Sequence, residues 1–224
     1  VDVEALAGLK VLMVGAGSIG SFAAVAMMKM GIQRCRVYDF DNIELHNQAN
    51  QIYNWRQAGK PKLDALMEYL QPYTEEVWEA GWEFVNGHLK PDNIASLDEY
   101  APDVIICAVD NMEARKLLFE YAEKAAGCKL FIDARIGQVL AECYAVQAFM
   151  PDEADLFKKS HLDSDEDLEP LKCTEKSIIF PVMFTSSWIT SCLYHLVCGT
   201  IGNMPINLDA NFGTMEFFKT KRPS

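Results

Sequence analysis

Leu9-Lys10-Val11-Leu12-Met13-Val14-Gly15-Ala16-Gly17-Ser18-Ile19-Gly20 decides the reading of this chain. A mostly apolar run of strand length enters a glycine turn, and Ser18 to Met30 comes next with apolar residues on most faces, the pattern of a strand, a tight turn and a buried helix. Gly15, Gly17 and Gly20 match GxGxxG between strand and helix, the setting that gives the motif its meaning. The first glycine permits the turn, the second lets backbone approach a nucleotide, and the third lets helix close on strand; the helix N-terminus attracts anionic phosphate. Asp39, nineteen residues after Gly20, ends a second strand at 35–40, where a carboxylate can accept hydrogen bonds from ribose hydroxyls. Taken alone, these residues describe a nucleotide site that NAD, FAD and ATP binders share.

Further along, Pro61 at a first helical turn opens a helix over 62–70, and 77–85, rich in tryptophan and valine, reads as extended. Residues 104–109 form a continuous apolar strand, 113–126 a helix and 130–134 another strand, so strands alternate with helices as in a parallel, doubly wound sheet. The stretch 138–149 has strand character and is expected to run antiparallel at the edge. The long apolar segment 178–197 carries Thr185, Ser186, Ser187, Thr190 and Ser191, which favours a helix in the core or at a subunit interface over a membrane span. The expected fold is α/β, a Rossmann-like, mostly parallel sheet with antiparallel edge strands, built as one domain over 1–224.

Half of the 224 residues are apolar, enough for one sizeable core. No charge-free run reaches the about 20 residues of a membrane helix, and residues 1–10 lack the basic-then-apolar layout of a signal peptide. A soluble, cytoplasmic protein with no membrane partner is expected. The seven cysteines are scattered and mostly set in apolar stretches, without a CxxC pair, so neither disulfides nor zinc are expected. A net charge of −12 disfavours nucleic acid. Half of that charge is local: 152–169 holds eight acids against two lysines, and 151–176 reads as an acidic crossover loop, either a solvated excursion or a docking surface.

The residues after Asp39 are more specific. Asp39-Phe40-Asp41-Asn42-Ile43-Glu44-Leu45-His46-Asn47 resembles the D-x-D-x-V-x-x-x-N signature of the E1-like adenylating family (ThiF, MoeB, HesA and the ubiquitin-activating enzymes). Gly59-Lys60-Pro61-Lys62 looks like that family's G-x-P-K step, and Cys107-Ala108-Val109-Asp110-Asn111 with Arg115 looks like its C-x-D-N-x-x-x-R strand end. Cys173 stands eight residues ahead of Pro181, where family members place a reactive thiol. The resemblance spans about Leu6 to Gly199.

It implies ATP-dependent adenylation of a carboxylate, that of the C-terminal glycine of a ubiquitin-like or sulfur-carrier protein, by an adenylyltransferase that works as a homodimer or heterodimer. By resemblance Asp39 would hold the ribose, with Asp41, Asn111 and Arg115 also in the nucleotide site. Asn47 and Lys62 would contact phosphate oxygens, and Asp110 would bind Mg²⁺. Cys173, with Lys172 and Lys176 nearby to favour thiolate, would take the acyl group as a thioester or a sulfur as a persulfide for an E2-like or sulfur-transfer partner.

The chain departs from the family at Asn47-Gln48-Ala49-Asn50-Gln51, where N-x-x-R-Q is common: Asn50 replaces an arginine expected on the phosphates. An inactive or regulatory E1-like subunit is therefore an alternative, although Lys62 and Asp110 are retained. An NAD-dependent oxidoreductase is also compatible with the glycine turn and Asp39, but no acid/base pair for hydride chemistry stands in the later strands.

Overall fold

The computed structural model describes residues 2–73, 81–162 and 179–223. The strands are β1 (Lys10–Val14), β2 (Arg34–Asp39), β3 (Trp82–Asn86), β4 (Val104–Cys107), β5 (Leu130–Ile136), β6 (Leu140–Val146), β7 (Asn207–Asn211) and β8 (Glu216–Thr220). They make one sheet in the order β3-β2-β1-β4-β5-β6-β7-β8. The neighbours from β3 to β5 pair in parallel, and β6, β7 and β8 are added antiparallel. The chain winds outward from β1 to β3, then returns to β4 on the other side of β1. The order therefore reverses between β1 and β4, where Val14 stands level with Cys107. Ligands of open α/β sheets bind outside the carboxyl ends of strands at such a switch point.

The helices are α1 (Val3–Gly8), α2 (Ser18–Met30), α3 (Lys62–Leu70), α4 (Leu97–Tyr100), α5 (Met112–Lys124), α6 (Pro151–Phe157) and α7 (Ile179–Val197). They cover both faces of the sheet. Val11, Met13, Ile106 and Ile132 point into one apolar cluster with α2, α3 and α7; Leu12, Ile105 and Phe131 point the other way, into a cluster with α5 and α6. Alternate side chains of a strand face opposite sides, so a strand buried on both reads as an unbroken apolar run. The runs ending at Val14 and Cys107 are legible in the sequence for that reason.

The buried hydroxyls of α7 are satisfied by backbone carbonyls. Thr185 donates to Pro181 O at 2.8 Å, and Ser186 donates to Val182 O at 2.8 Å and reaches Ile19 O of α2 at 3.3 Å. Among the described residues no helix is long and apolar enough to cross a membrane.

Two expectations need correction. The antiparallel strand after β5 is not the edge, because β7 and β8 extend the sheet beyond β6; the hairpin forms from a tail whose polar residues hide its alternation. The acidic stretch also begins as structure, not as a solvated loop. Pro151 opens α6, Asp152 and Glu153 sit in its first turn where acids complement the helix dipole, and Ala154 and Phe157 are buried. A π-type turn, Lys158–Leu162, prolongs it. Glu153 itself is 3% exposed, accepting from Gln147 N–H at 2.8 Å and pairing with Arg222 near the chain end. The rest of the expected crossover, 163–176, lies outside the described residues.

Candidate active site

The glycine turn leaves β1 beside the loop that leaves β4. Gly15 has φ +101°, a conformation side chains avoid, and a Cβ there would collide with Ala108 O. A Cβ on Gly20 would collide with Gly15 O, so the turn folds tightly onto its own helix. Gly17 differs. A Cβ there would meet only Gln51 Nε2, at 3.9 Å, and Gln51 Oε1 is buried with no hydrogen-bond partner among the described residues.

Asp39, 9% exposed at the end of β2, accepts from Ala16 N–H at 2.6 Å through one oxygen and from Asp41 N–H at 2.8 Å through the other. Its carboxylate thus fixes the glycine turn and retains acceptor capacity, since two oxygens offer about four lone-pair sites. Tyr53, which no motif marks, completes this brace by donating to Ala16 O at 2.7 Å.

Asp41 and Lys62 are brought together by a small staple. Ile43 N–H donates to Lys60 O at 2.9 Å, Gly59 N–H to Ile43 O at 2.8 Å and Lys62 N–H to Asp41 O at 2.9 Å, so the chain between them closes as a loop. Lys62 then opens α3 with its Nζ 2.6 Å from Asp41 Oδ2. Asn47 lies in the short 3-10 turn Leu45–Ala49 within this loop. Asn50 is buried, and Arg56 stacks over Trp55 at 5.2 Å.

Across the switch point, Asp110 is exposed at the end of β4. Asn111 caps α5, its side-chain oxygen accepting from Ala114 N–H at 3.1 Å. Arg115 is 5% exposed and directed at protein acceptors: the carboxylate of Asp133, Val109 O, and Ala134 O at 3.5 Å. Asp133 is fully buried on β5 and also bonded by His161 Nε2 at 2.6 Å. Burial alone would raise the pKa of Asp133, but Arg115 and then His161 hold it well below the usual carboxylate range. Burial pushes the His161 imidazole down, against the pull of Asp133.

Of the sequence-derived set, Gly15, Gly17, Gly20, Asp39, Asp41 and Lys62 form one connected group, with Asp110 and Asn111 across from it. Cys173, Lys172 and Lys176 lie outside the described residues. The thiols of Cys35, Cys107, Cys128, Cys143 and Cys192 are buried, and burial pushes Cys128 up to about 11. Asp133 and His161 belong to no motif, although a carboxylate inside an apolar strand announces a buried cation nearby.

A model of the ThiF family matches residues 2–224. The chain belongs to the ThiF family. Among proteins similar to this ThiF chain is ubiquitin-like modifier-activating enzyme 5 of Dictyostelium discoideum, 29% identical over 50% of this chain and 32% of that protein. The adenylyltransferase and sulfurtransferase MOCS3 of Aedes aegypti is 31% identical over 48% of this chain and 24% of its own length. The tRNA threonylcarbamoyladenosine dehydratase 2 of Saccharomyces cerevisiae is 28% identical over 54% and 27%. This ThiF chain thus matches less than a third of the length of each of these relatives. The crystal structure of selenomethionine PaaA shares the fold, with a TM-score of 0.76 at 20% identity, covering 98% of this chain and 65% of that one.

Proposed function

We propose that this chain activates a carboxylate as its acyl-adenylate, with ATP bound at the switch point between β1 and β4. A carboxylate oxygen bonds to the α-phosphorus, the bond from that phosphorus to the bridging oxygen breaks, and pyrophosphate leaves with the electron pair. An anion attacks a polyanion, so the chemistry needs fixed positive charge in a partly dry site. The observation that carries the reading is Lys62, a nearly buried cation held by Asp41 and tied through Asp39 to the glycine turn. Lys62 and Asn47 would bind phosphate oxygens, Gly17 would let the phosphates approach the backbone, and Asp39 would hold the ribose with its remaining lone pairs.

Mg²⁺ suits the residues present. Asp110 is an exposed, hard oxygen donor across the switch point from the glycine turn, and among the described residues no group of three or more His, Cys, Asp or Glu side chains converges to hold an ion alone. Magnesium commonly takes one or two carboxylates and completes its shell from substrate phosphates and water. When bound, it neutralises charge on those phosphates. The residues' own part is to orient: Asp110 fixes where the phosphates lie relative to Lys62.

The substrate we favour is the C-terminal glycine of a ubiquitin-like or sulfur-carrier protein, in keeping with two of the named relatives. Cys173 would accept the product acyl group or a sulfur, for an E2-like or sulfur-transfer partner, in a cytoplasmic homodimer or heterodimer. A relative named for tRNA threonylcarbamoyladenosine supports a tRNA-linked carboxylate instead, but a charge of −12 works against that polyanion. Asn50, in place of the family arginine, supports a second reading as a catalytically silent subunit. ATP–pyrophosphate exchange with Mg²⁺ and candidate proteins ending in Gly-Gly separates these. Substrate-dependent exchange that disappears in Asp110→Ala is expected; tight Mg-ATP binding without exchange would favour the silent subunit.

A further inference from the structure

Asp133 is a carboxylate in the middle of the apolar strand β5, with none of its surface exposed. Three basic side chains converge on it from three elements: Arg115 of α5, His161 of the turn after α6, and Arg135 of β5, whose Nε stands 3.6 Å away. These contacts are internal to the protein. Each guanidinium has a second hold, however, and those holds bracket the proposed metal carboxylate. Arg115 also binds Val109 O, the residue before Asp110. Arg135 reaches the sulfur of Met112, the residue after Asn111, at 3.6 Å, and the carbonyl of His161 at 3.3 Å. The imidazole is itself clamped, with ring centres of Tyr144 and Phe157 at 4.1 Å and 5.0 Å.

Resting on the adenylation reading above, we propose that His161 and Asp133 are positioning residues for Asp110. Asp133 aims two guanidinium groups, and these hold the Val109–Met112 loop from both ends. His161 supplies the second hydrogen bond, beside that of Arg115, which sets the carboxylate's rotation and docks the α6 turn over the network. Well-packed apolar side chains would stabilise a core as well as a buried ion cluster does; the cluster adds one defined geometry. Metal-dependent phosphoryl chemistry needs that geometry, because a misplacement of about 1 Å can lower a rate on the order of a hundredfold.

The test compares His161→Leu, which removes the donor, with His161→Gln, whose amide can still donate to Asp133. Two readouts are followed: ATP–pyrophosphate exchange kinetics and hydrogen–deuterium exchange of residues 108–112. In His161→Leu we expect kcat to fall by about tenfold or more with KM for Mg-ATP within about threefold, because the loss is of alignment and not of phosphate contacts. Amides of 108–112 should exchange faster. His161→Gln should restore both toward wild type. Equal losses in the two variants, or unchanged hydrogen exchange at 108–112 in His161→Leu, overturns the proposal.

If His161→Leu does not fold, Arg135→Met cuts the tie to Met112 and leaves the Asp133–Arg115 pair. It should raise hydrogen exchange over the same residues, and no rise overturns the proposal. Wild-type protein that supports no pyrophosphate exchange would sink the adenylation reading alone. The hydrogen-exchange arm needs no turnover and still decides whether this network holds the Asp110 loop.

Discussion

Lys62 Nζ lies 2.6 Å from Asp41 Oδ2, the lysine side chain 8% exposed and the aspartate 47%. The pair is asymmetric, with the cation inside and its counter-ion half in water. A cation held this way would meet the phosphates of the proposed ATP site without first shedding a full hydration shell.

Lys62→Ala should therefore lower pyrophosphate exchange by about a hundredfold or more, the size seen when one donor to a developing anion is removed. Lys62→Arg should not rescue it, because a planar guanidinium does not reproduce the reach of a point-charge ammonium. Asp41→Asn leaves a nearly buried lysine without its carboxylate. With the partner half exposed, we expect a loss of only about 1 kcal/mol in urea unfolding, at the low end for a charged hydrogen bond.

The three glycines of the turn should separate by experiment. Gly15 and Gly20 face protein backbone that a Cβ would strike, whereas Gly17 faces open space. Gly20→Ala should destabilise the fold by about 2 kcal/mol or more, since backbone rather than a flexible side chain must move. Gly17→Ala should keep the melting temperature near wild type yet raise the KM for ATP. A Gly17→Ala protein with an unchanged KM would remove the phosphates from this turn.

The strands and the glycine turn are readable because strands buried on both faces leave uninterrupted apolar runs, as at 104–107, and because Gly15 and Gly20 answer to backbone contacts at the turn. The Asp39 to Lys62 group is readable only through motif order. No periodicity announces that Asn42 bridges to Pro61 and closes the loop that brings Asp41 to Lys62. Phe217 and Phe218 near the tail suggest a final strand or a partner-facing end, but β8 is exposed along its whole length and carries no one-sided apolar alternation, so its pairing with β7 is not legible. Helix α6 is masked by charge: its acids serve the first turn and an internal pair with Arg222, which composition reads as solvation. Asn111 and Arg115 match the family pattern, yet the bonds they make are a helix cap and a buried ion network.

The fold should be labile to mild acid through His161. Its folded pKa is depressed, so between that value and the ordinary histidine value of about 6.5 the unfolded chain binds more protons, and stability falls as pH drops through this window. Asp133, also depressed, adds a further loss below about 4. Glu142, which burial pushes up, works in the opposite direction above its ordinary value of about 4.3, as does Asp209 near its own. Arg135 and Tyr144 face the imidazole but stay in one protonation state across this range. Urea unfolding from pH 7.5 to 5 on wild type and His161→Gln isolates the histidine: the variant should lose the slope between about 6.5 and 5. Parallel curves would place the acid sensitivity elsewhere.

Thiol chemistry offers the last separation. Among the described cysteines five are buried and Cys198 is exposed, so alkylation of native protein should reach Cys198 and spare the buried five. Burial pushes all five up, Cys128 to about 11, and keeps them as thiols rather than thiolates. If Cys173 is the acceptor after adenylation, it should alkylate faster than Cys198 at pH 7, and Mg-ATP with carrier protein should protect it. Cys173→Ser should abolish a thiol-sensitive adduct to the carrier while leaving pyrophosphate exchange intact, because adenylation precedes transfer. Cys198→Ser should retain both. A thiol-sensitive adduct that survives in Cys173→Ser removes that cysteine from the mechanism and places the acceptor on another thiol.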